Sequence, residues 1–256
     1  MFLLRRGVRE RTTPIGALHH AIMRWGEAER TSSRLAVQRW VDGVAYVDVQ
    51  ARTFADFWTR QNVNAQAADG PLWVVLGDST AQGLGASSPL HGYVGQVLNA
   101  LRRTGSPWRV LNLSRSGAQT KHVLEDQLPL VDGLTPALVT CGIGSNDILA
   151  TPPTRFRDHL RQVIERLPSS SVVMDLTVPD RLWRIGGLCS PYITGINQLI
   201  STTATSRGLP VAEVSRHARP PWRGMLAPDS FHPNNLGYRR HADALLAALP
   251  ATIAKY

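Results

Sequence analysis

Lysine is almost missing from this chain of 256 residues, which holds Lys121 and Lys255 and no others, although lysine and arginine together number 28 against 19 acidic residues. The net charge of +9 is therefore arginine charge, and it is scattered along the chain. A basic balance can favour nucleic acid or an anionic membrane face. No helix-turn-helix, zinc or RNA-binding signature accompanies it, so no nucleic-acid partner is expected; weak contact with a membrane surface is the residual expectation. Cysteine is as scarce: Cys141 and Cys189 form no CxxC pair, which argues against a disulfide framework and a zinc site. Buried free thiols are expected, Cys141 inside a strand. No apolar run reaches the roughly eighteen residues of a membrane-spanning helix. The start, Met1-Phe2-Leu3-Leu4 followed by Arg5, Arg6, Arg9 and Arg11, lacks the apolar stretch and small-residue cleavage site of a secretory signal, and a cytoplasmic protein is expected. What remains, 43% hydrophobic and 18% charged, is the composition of an ordinary globular protein.

From Leu72 onward apolar runs alternate with amphipathic ones. Residues 72–76, 109–113, 137–143, 171–178 and 209–214 read as strands, short, rich in Val and Leu, and bounded by Gly, Pro or Ser. Residues 92–103, 120–127, 154–167, 191–206 and 234–249 read as helices between and after them. Near-continuous apolar strands separated by helices predict a five-stranded parallel sheet covered on both faces, a three-layer α/β/α sandwich. Residues 1–70 read as an N-terminal helical extension and 71–256 as the main domain, with Asp69-Gly70-Pro71 as the turn between them. Within the extension Val37, Trp40, Val44, Val47, Ala51, Phe54 and Trp58 recur three and four apart, the seam of an amphipathic helix. The seam predicts docking on the main domain; a homodimer seam, an active-site cover and a membrane-surface helix are the alternatives, the last opposed by mixed charge signs.

Four short motifs fall, in order, at the ends of predicted elements: Gly77-Asp78-Ser79-Thr80, Ser116-Gly117-Ala118, Gly144-Ser145-Asn146-Asp147 and Asp229-Ser230-Phe231-His232. In parallel sheets ligands gather beyond the carboxyl ends of the strands, and Ser79, Gly117 and Asn146 follow the first three strands onto that rim. Ser79, among small residues, has the open turn a nucleophile needs. His232 can act as its base, with Asp229 three residues away to orient the imidazole. The Gly117 N–H, the Asn146 amide and the Ser79 N–H are candidate donors to an oxyanion. Singly each motif also reads as a turn or a helix cap; jointly they supply a complete set. Gly83-Leu84-Gly85 lacks the third glycine of a dinucleotide fingerprint and the Gly-Lys-Ser/Thr of a phosphate loop. His19, His20, His122 and His159 have no comparable setting and read as solvated or capping.

These residues resemble the SGNH hydrolases, the GDSL-type esterases and lipases, over roughly residues 72–249, and the general look of the chain is similar to bacterial, in particular actinobacterial, members. Ser79, Gly117, Asn146 and His232 match the four named positions and Asp229 the third triad member; Thr80 stands where the family name has leucine. The resemblance implies a flavodoxin-like sandwich, hydrolysis of a small ester or lipid-like substrate through an acyl-serine, and no metal or organic cofactor. Acyl transfer and thioester hydrolysis by the same residues stay open, as does a non-catalytic scaffold dimerising through the N-terminal helix. Trp183 with Ile185 and Leu188, and Trp222 with Met225, are candidates to line an acyl pocket or to pack at the surface.

Overall fold

The computed structural model describes residues 42–178 and 190–253. Five strands, β1 (Leu72–Gly77), β2 (Arg109–Asn112), β3 (Leu138–Gly142), β4 (Ser171–Met174) and β5 (Val211–Ala212), form one sheet in the order β2-β1-β3-β4-β5. Every pairing is parallel. β1 lies inside the sheet, and all six of its residues are buried. Two strands are shorter than expected. β4 stops at Met174; the Asp175 N–H still donates to the Ala212 carbonyl at 3.1 Å, while its carboxylate accepts from the Ser215 N–H at 2.8 Å. β5 is an edge strand with one neighbour, and its ladder is limited to the two residues that face Val173 and Met174.

Alternation along β1 sorts the core into two layers. Leu72, Val74 and Leu76 point to one face, covered by helices α6 (Pro153–Arg166) and α7 (Ser190–Ser206) through Leu160, Ile164, Ile196 and Ile200. Trp73 and Val75 point to the other, covered by α3 (Tyr93–Arg102) and α9 (Asn235–Ala248) through Val94, Val97, Tyr238 and Leu245. Short helices α2 (Ser79–Gln82), α4 (Thr120–His122), α5 (Asp147–Ala150) and α8 (Val214–His217) start beyond strand ends. The expected helix over 120–127 is α4 followed by a π-turn, Val123–Gln127. That turn carries the Gln127 side chain inward, where it pairs with both the N–H and the C=O of Gly77, at 2.8 and 2.9 Å.

Helix α1 (Asp42–Ala67) precedes the sheet and packs on it. The described part of the seam packs on its own chain. Val47 and Phe54 pack on Leu84, and Trp58 joins the core layer of Trp73 and Val75. At burial of this order each such side chain contributes about 1.5–3 kcal/mol. Val37, Trp40, His19 and His20 lie outside the described residues. The helix also closes the open side of β2, an edge strand that would otherwise present unpaired backbone groups. The Asn62 carboxamide donates to the Asn112 carbonyl at 2.7 Å and accepts from the Asn112 N–H at 2.8 Å, as a neighbouring strand would.

Among the described residues no helix is long and apolar enough to cross a membrane.

Candidate active site

Ser79 opens α2 directly beyond β1. Gly77 turns the chain there with φ +154°, and a Cβ on it would meet the Gly142 carbonyl at 2.6 Å, so a side chain does not fit. Asp78 caps α2, accepting from the Thr80 N–H at 2.9 Å. The result is a serine whose Oγ projects past the sheet and whose own N–H makes no hydrogen bond among the described residues.

The second part of the site comes from residues 226–233. Leu226 and Pro233 form an antiparallel bridge, and the Ala227 N–H donates to the His232 carbonyl at 2.8 Å. Ser230 takes the left-handed conformation, φ 54°, to close this loop, which folds Asp229 back onto His232. Asn234 then caps α9, accepting from the N–H groups of Leu236 and Gly237 at 3.0 and 3.1 Å. The histidine is thus fixed at its backbone on both sides.

The two parts meet. His232 Nε2 lies 2.8 Å from Ser79 Oγ, and His232 Nδ1 lies 2.6 Å from Asp229 Oδ2. The network assigns Nδ1–H as donor to the carboxylate and leaves Nε2 to accept from the hydroxyl. Asp229 Oδ1 accepts the N–H groups of Phe231 and His232, each at 3.0 Å. Burial raises the pKa of Asp229, but the hydrogen bond and charge of His232 with the two backbone donors outweigh it and hold the carboxyl below its ordinary range.

Asn146 stands beside them. Its Nδ2 donates to the Ala118 carbonyl at 2.9 Å, tying it to the turn that contains Gly117, and lies 3.5 Å from Asp78 Oδ2. One amide hydrogen is therefore taken and the other is held by a long, weak contact. Gly117 has φ +71°, and its N–H makes no hydrogen bond among the described residues. Asn146, Ser79, His232 and Trp222 line one cavity of about 70 Å³; Gly117 is not among its lining residues. The cavity runs from the Ser79–His232 pair toward Met174, Leu176, Val214 and Trp222. Trp222 is 5% exposed and donates through Nε1 to the Val178 carbonyl at 3.0 Å, so it is a wall of the cavity and not a surface ring. Trp183, Ile185, Leu188 and Cys189 lie outside the described residues.

Several supporting residues have roles that the sequence does not show. Asp78, 2% exposed, has its pKa raised by burial against the opposing effect of its bonds to Thr80. Asp147 accepts from the N–H and the hydroxyl of Thr120, both at 2.9 Å, and so joins the turns after β2 and β3. Gln127, paired with Gly77, fixes the end of β1. Asp78 and Asp147 lie within the motifs of Ser79 and Asn146, and Gln127 follows Glu125 and Asp126, so none stands out as a lone polar residue. Of the histidines read as capping, His122 does cap α4, accepting from the Gln119 N–H at 2.9 Å. His159 is half-buried with a shielded Nδ1 and is not a solvated residue.

A parallel α/β/α sandwich with a serine, a histidine and a carboxylate in line at its carboxyl edge defines a hydrolase architecture. The chain belongs to the GDSL-like Lipase/Acylhydrolase family, whose pattern it matches over residues 75–240; members are hydrolases acting on ester bonds. Among solved structures it is similar to TesA (22% identity, TM-score 0.60, 71% of this chain and 99% of that one). It is similar also to the psychrotrophic esterase EstA from Pseudoalteromonas sp. (16%, 0.53, 69% and 95%) and to Axe2, an acetylxylan esterase from Geobacillus stearothermophilus (17%, 0.54, 71% and 95%). At these identities the likeness is one of fold. No curated protein sequence matches the chain significantly.

Proposed function

We propose that the protein is a serine esterase of carboxylic esters, with Ser79 as nucleophile, His232 as general base and acid, and Asp229 as the group that orients His232. The observation that carries this reading is the unbroken relay, 2.8 Å from Ser79 Oγ to His232 Nε2 and 2.6 Å from His232 Nδ1 to Asp229 Oδ2. Ser79 Oγ attacks the ester carbonyl as its proton passes to His232 Nε2. The resulting imidazolium is stabilised by Asp229, which its hydrogen bonds keep ionised. The tetrahedral oxyanion takes hydrogen bonds from the Ser79 and Gly117 N–H groups, which are unpaired among the described residues, and from the second hydrogen of Asn146 Nδ2, which gives up its 3.5 Å contact with Asp78. Removal of one such donor raises the barrier by about 2.7–4 kcal/mol. Collapse breaks the ester C–O bond, and the alcohol leaves with the proton from His232. Water then attacks the acyl-serine by the same route and releases the acid.

The cavity between Met174, Leu176, Val214 and Trp222 receives the acyl group in this reading. Its volume of about 70 Å³ is room for a short acyl chain, since a water-sized group needs roughly 10–15 Å³. A fluorophosphonate probe should label the wild-type protein and leave Ser79→Ala unlabelled. Equal labelling of both proteins would remove Ser79 from the mechanism. Across p-nitrophenyl esters, kcat/KM should peak at acetyl to butyryl; a peak at long chains would refute the assigned pocket.

A further inference from the structure

Helix α1 ends at Ala67, and the family match begins at residue 75. Its buried polar side chains nevertheless converge on the segment that follows Ser79. Gln50, 9% exposed, accepts from the Gly85 N–H at 2.9 Å and donates to the Ala86 carbonyl at 2.9 Å. Trp58 Nε1 donates to the Gln82 carbonyl at 2.9 Å. Asn62 holds the backbone of Asn112, and the Asn112 side chain donates to the Ala81 carbonyl at 2.9 Å. Residues 81, 82, 85 and 86 are thus tied to one helix, directly or through Asn112.

The far side of the same loop touches His232. A Cβ on Gly85 would lie 2.8 Å from His232 Cβ and 2.5 Å from the Pro233 carbonyl oxygen, so the Gly85 backbone is the surface against which His232 rests. Tyr238, from the helix behind His232, donates its hydroxyl to the Leu84 carbonyl at 2.5 Å. The loop begins on Ser79 as well, since the N–H groups of Gly83 and Leu84 both donate to the Ser79 carbonyl at 3.1 Å. Its location therefore sets the distance between the hydroxyl and the imidazole.

We infer that α1 is part of the catalytic apparatus, with Gln50 as a positioning residue that clamps the 83–86 loop and so holds Ser79 and His232 at hydrogen-bond distance. This rests on Ser79 and His232 acting as proposed above. Two amide hydrogen bonds to adjacent residues fix a loop in position and orientation, which a packing contact alone does not. Misplacement of reacting groups by about 1 Å costs on the order of 100-fold.

The test compares full-length wild type, Gln50→Met, Gln50→Glu and Ala65→Gly. Gln50→Met keeps the bulk and loses both hydrogen bonds; Gln50→Glu keeps the acceptor for Gly85; Ala65→Gly weakens α1 through helix propensity at a buried position fifteen residues from Gln50. Thermal unfolding, kcat, KM and the second-order rate of fluorophosphonate reaction are measured for each, normalised to folded protein. Gln50→Met should lower kcat and the fluorophosphonate rate by about 10- to 100-fold with KM within about twofold, and Gln50→Glu should recover part of the loss. Ala65→Gly should lower Tm and keep the wild-type rates. Wild-type rates in folded Gln50→Met, or equal rate losses in Gln50→Met and Ala65→Gly, would overturn the inference. If Gln50→Met does not fold, Gln50→Glu against Ala65→Gly decides in the same terms. A wild type that does not react at Ser79 would instead refute the esterase reading, so the two failures are distinct.

Discussion

Replacing Gly85 by alanine puts one methyl group between the nucleophile loop and the histidine loop. The new Cβ would meet the Pro233 carbonyl oxygen at 2.5 Å, His232 Cβ at 2.8 Å and Ala227 Cβ at 2.9 Å. None of these is the end of a flexible side chain, so the two loops must separate. Gly85 also has φ +91°, where an alanine costs about 1–3 kcal/mol in backbone strain. Overpacking adds about 1–3 kcal/mol, for a total of about 2–6 kcal/mol. Gly105→Ala is the reference: its φ is +101°, and nothing lies within 4 Å of its Cβ, so it carries the strain without the clash. Urea unfolding should therefore show Gly85→Ala less stable than Gly105→Ala by about 1–3 kcal/mol. The required separation of about half an ångström also lengthens the Ser79–His232 contact, and kcat should fall by about tenfold or more, while Gly105→Ala keeps wild-type kcat. Equal stability of the two variants, with wild-type kcat in Gly85→Ala, would refute the packing argument.

Asp229→Asn keeps the shape of the residue but removes the charge that stabilises imidazolium; kcat should fall by about 10³–10⁴ with KM little changed, read from steady-state ester hydrolysis. His241, buried among the rings of Tyr93, Trp222 and Tyr238, has its pKa lowered by burial to about 4. The unfolded chain, near 6.5, takes up the proton first as pH falls. The stability contributed by the neutral ring is thus complete above about pH 6.5 and is lost toward pH 4, by about 3 kcal/mol. His241→Phe should lack this loss in urea titrations at the two pH values; the buried Asp78 and Asp175, with raised pKa values, titrate in the opposite sense in both proteins. Asn62→Leu leaves the N–H and C=O of Asn112 without their partner, at about 1–3 kcal/mol each, and chemical unfolding should show a loss of about 2–6 kcal/mol.

The candidate site was legible because its residues sit where strands end. Ser79 and Asn146 follow apolar runs, and Asp229 and His232 precede a helix start, so order along the chain was enough to bring three strand ends and one loop to a single rim. The seam of α1 was legible for the same kind of reason, since Val47, Phe54 and Trp58 obey a period. Its clamp was not. Gln50 and Asn62 sit at ordinary polar spacings, and their partners, Gly85 and Asn112, are 35 and 50 residues away. Strand lengths failed for a related reason: Leu176 and Val214 are apolar because they line a cavity or fill the core, not because they continue a ladder. The π-turn over Val123–Gln127 exists to present Gln127 to Gly77, a demand made by β1 that leaves no periodic mark on residues 120–127.

The most direct test of the account is a rapid-quench reaction with p-nitrophenyl acetate, followed by mass analysis of the digested protein. The account predicts a burst of p-nitrophenol close to one equivalent per folded chain, with an acetyl group on the peptide that contains Ser79 and none in Ser79→Ala. A burst that survives in Ser79→Ala, or an acetyl group found on another side chain, would contradict it.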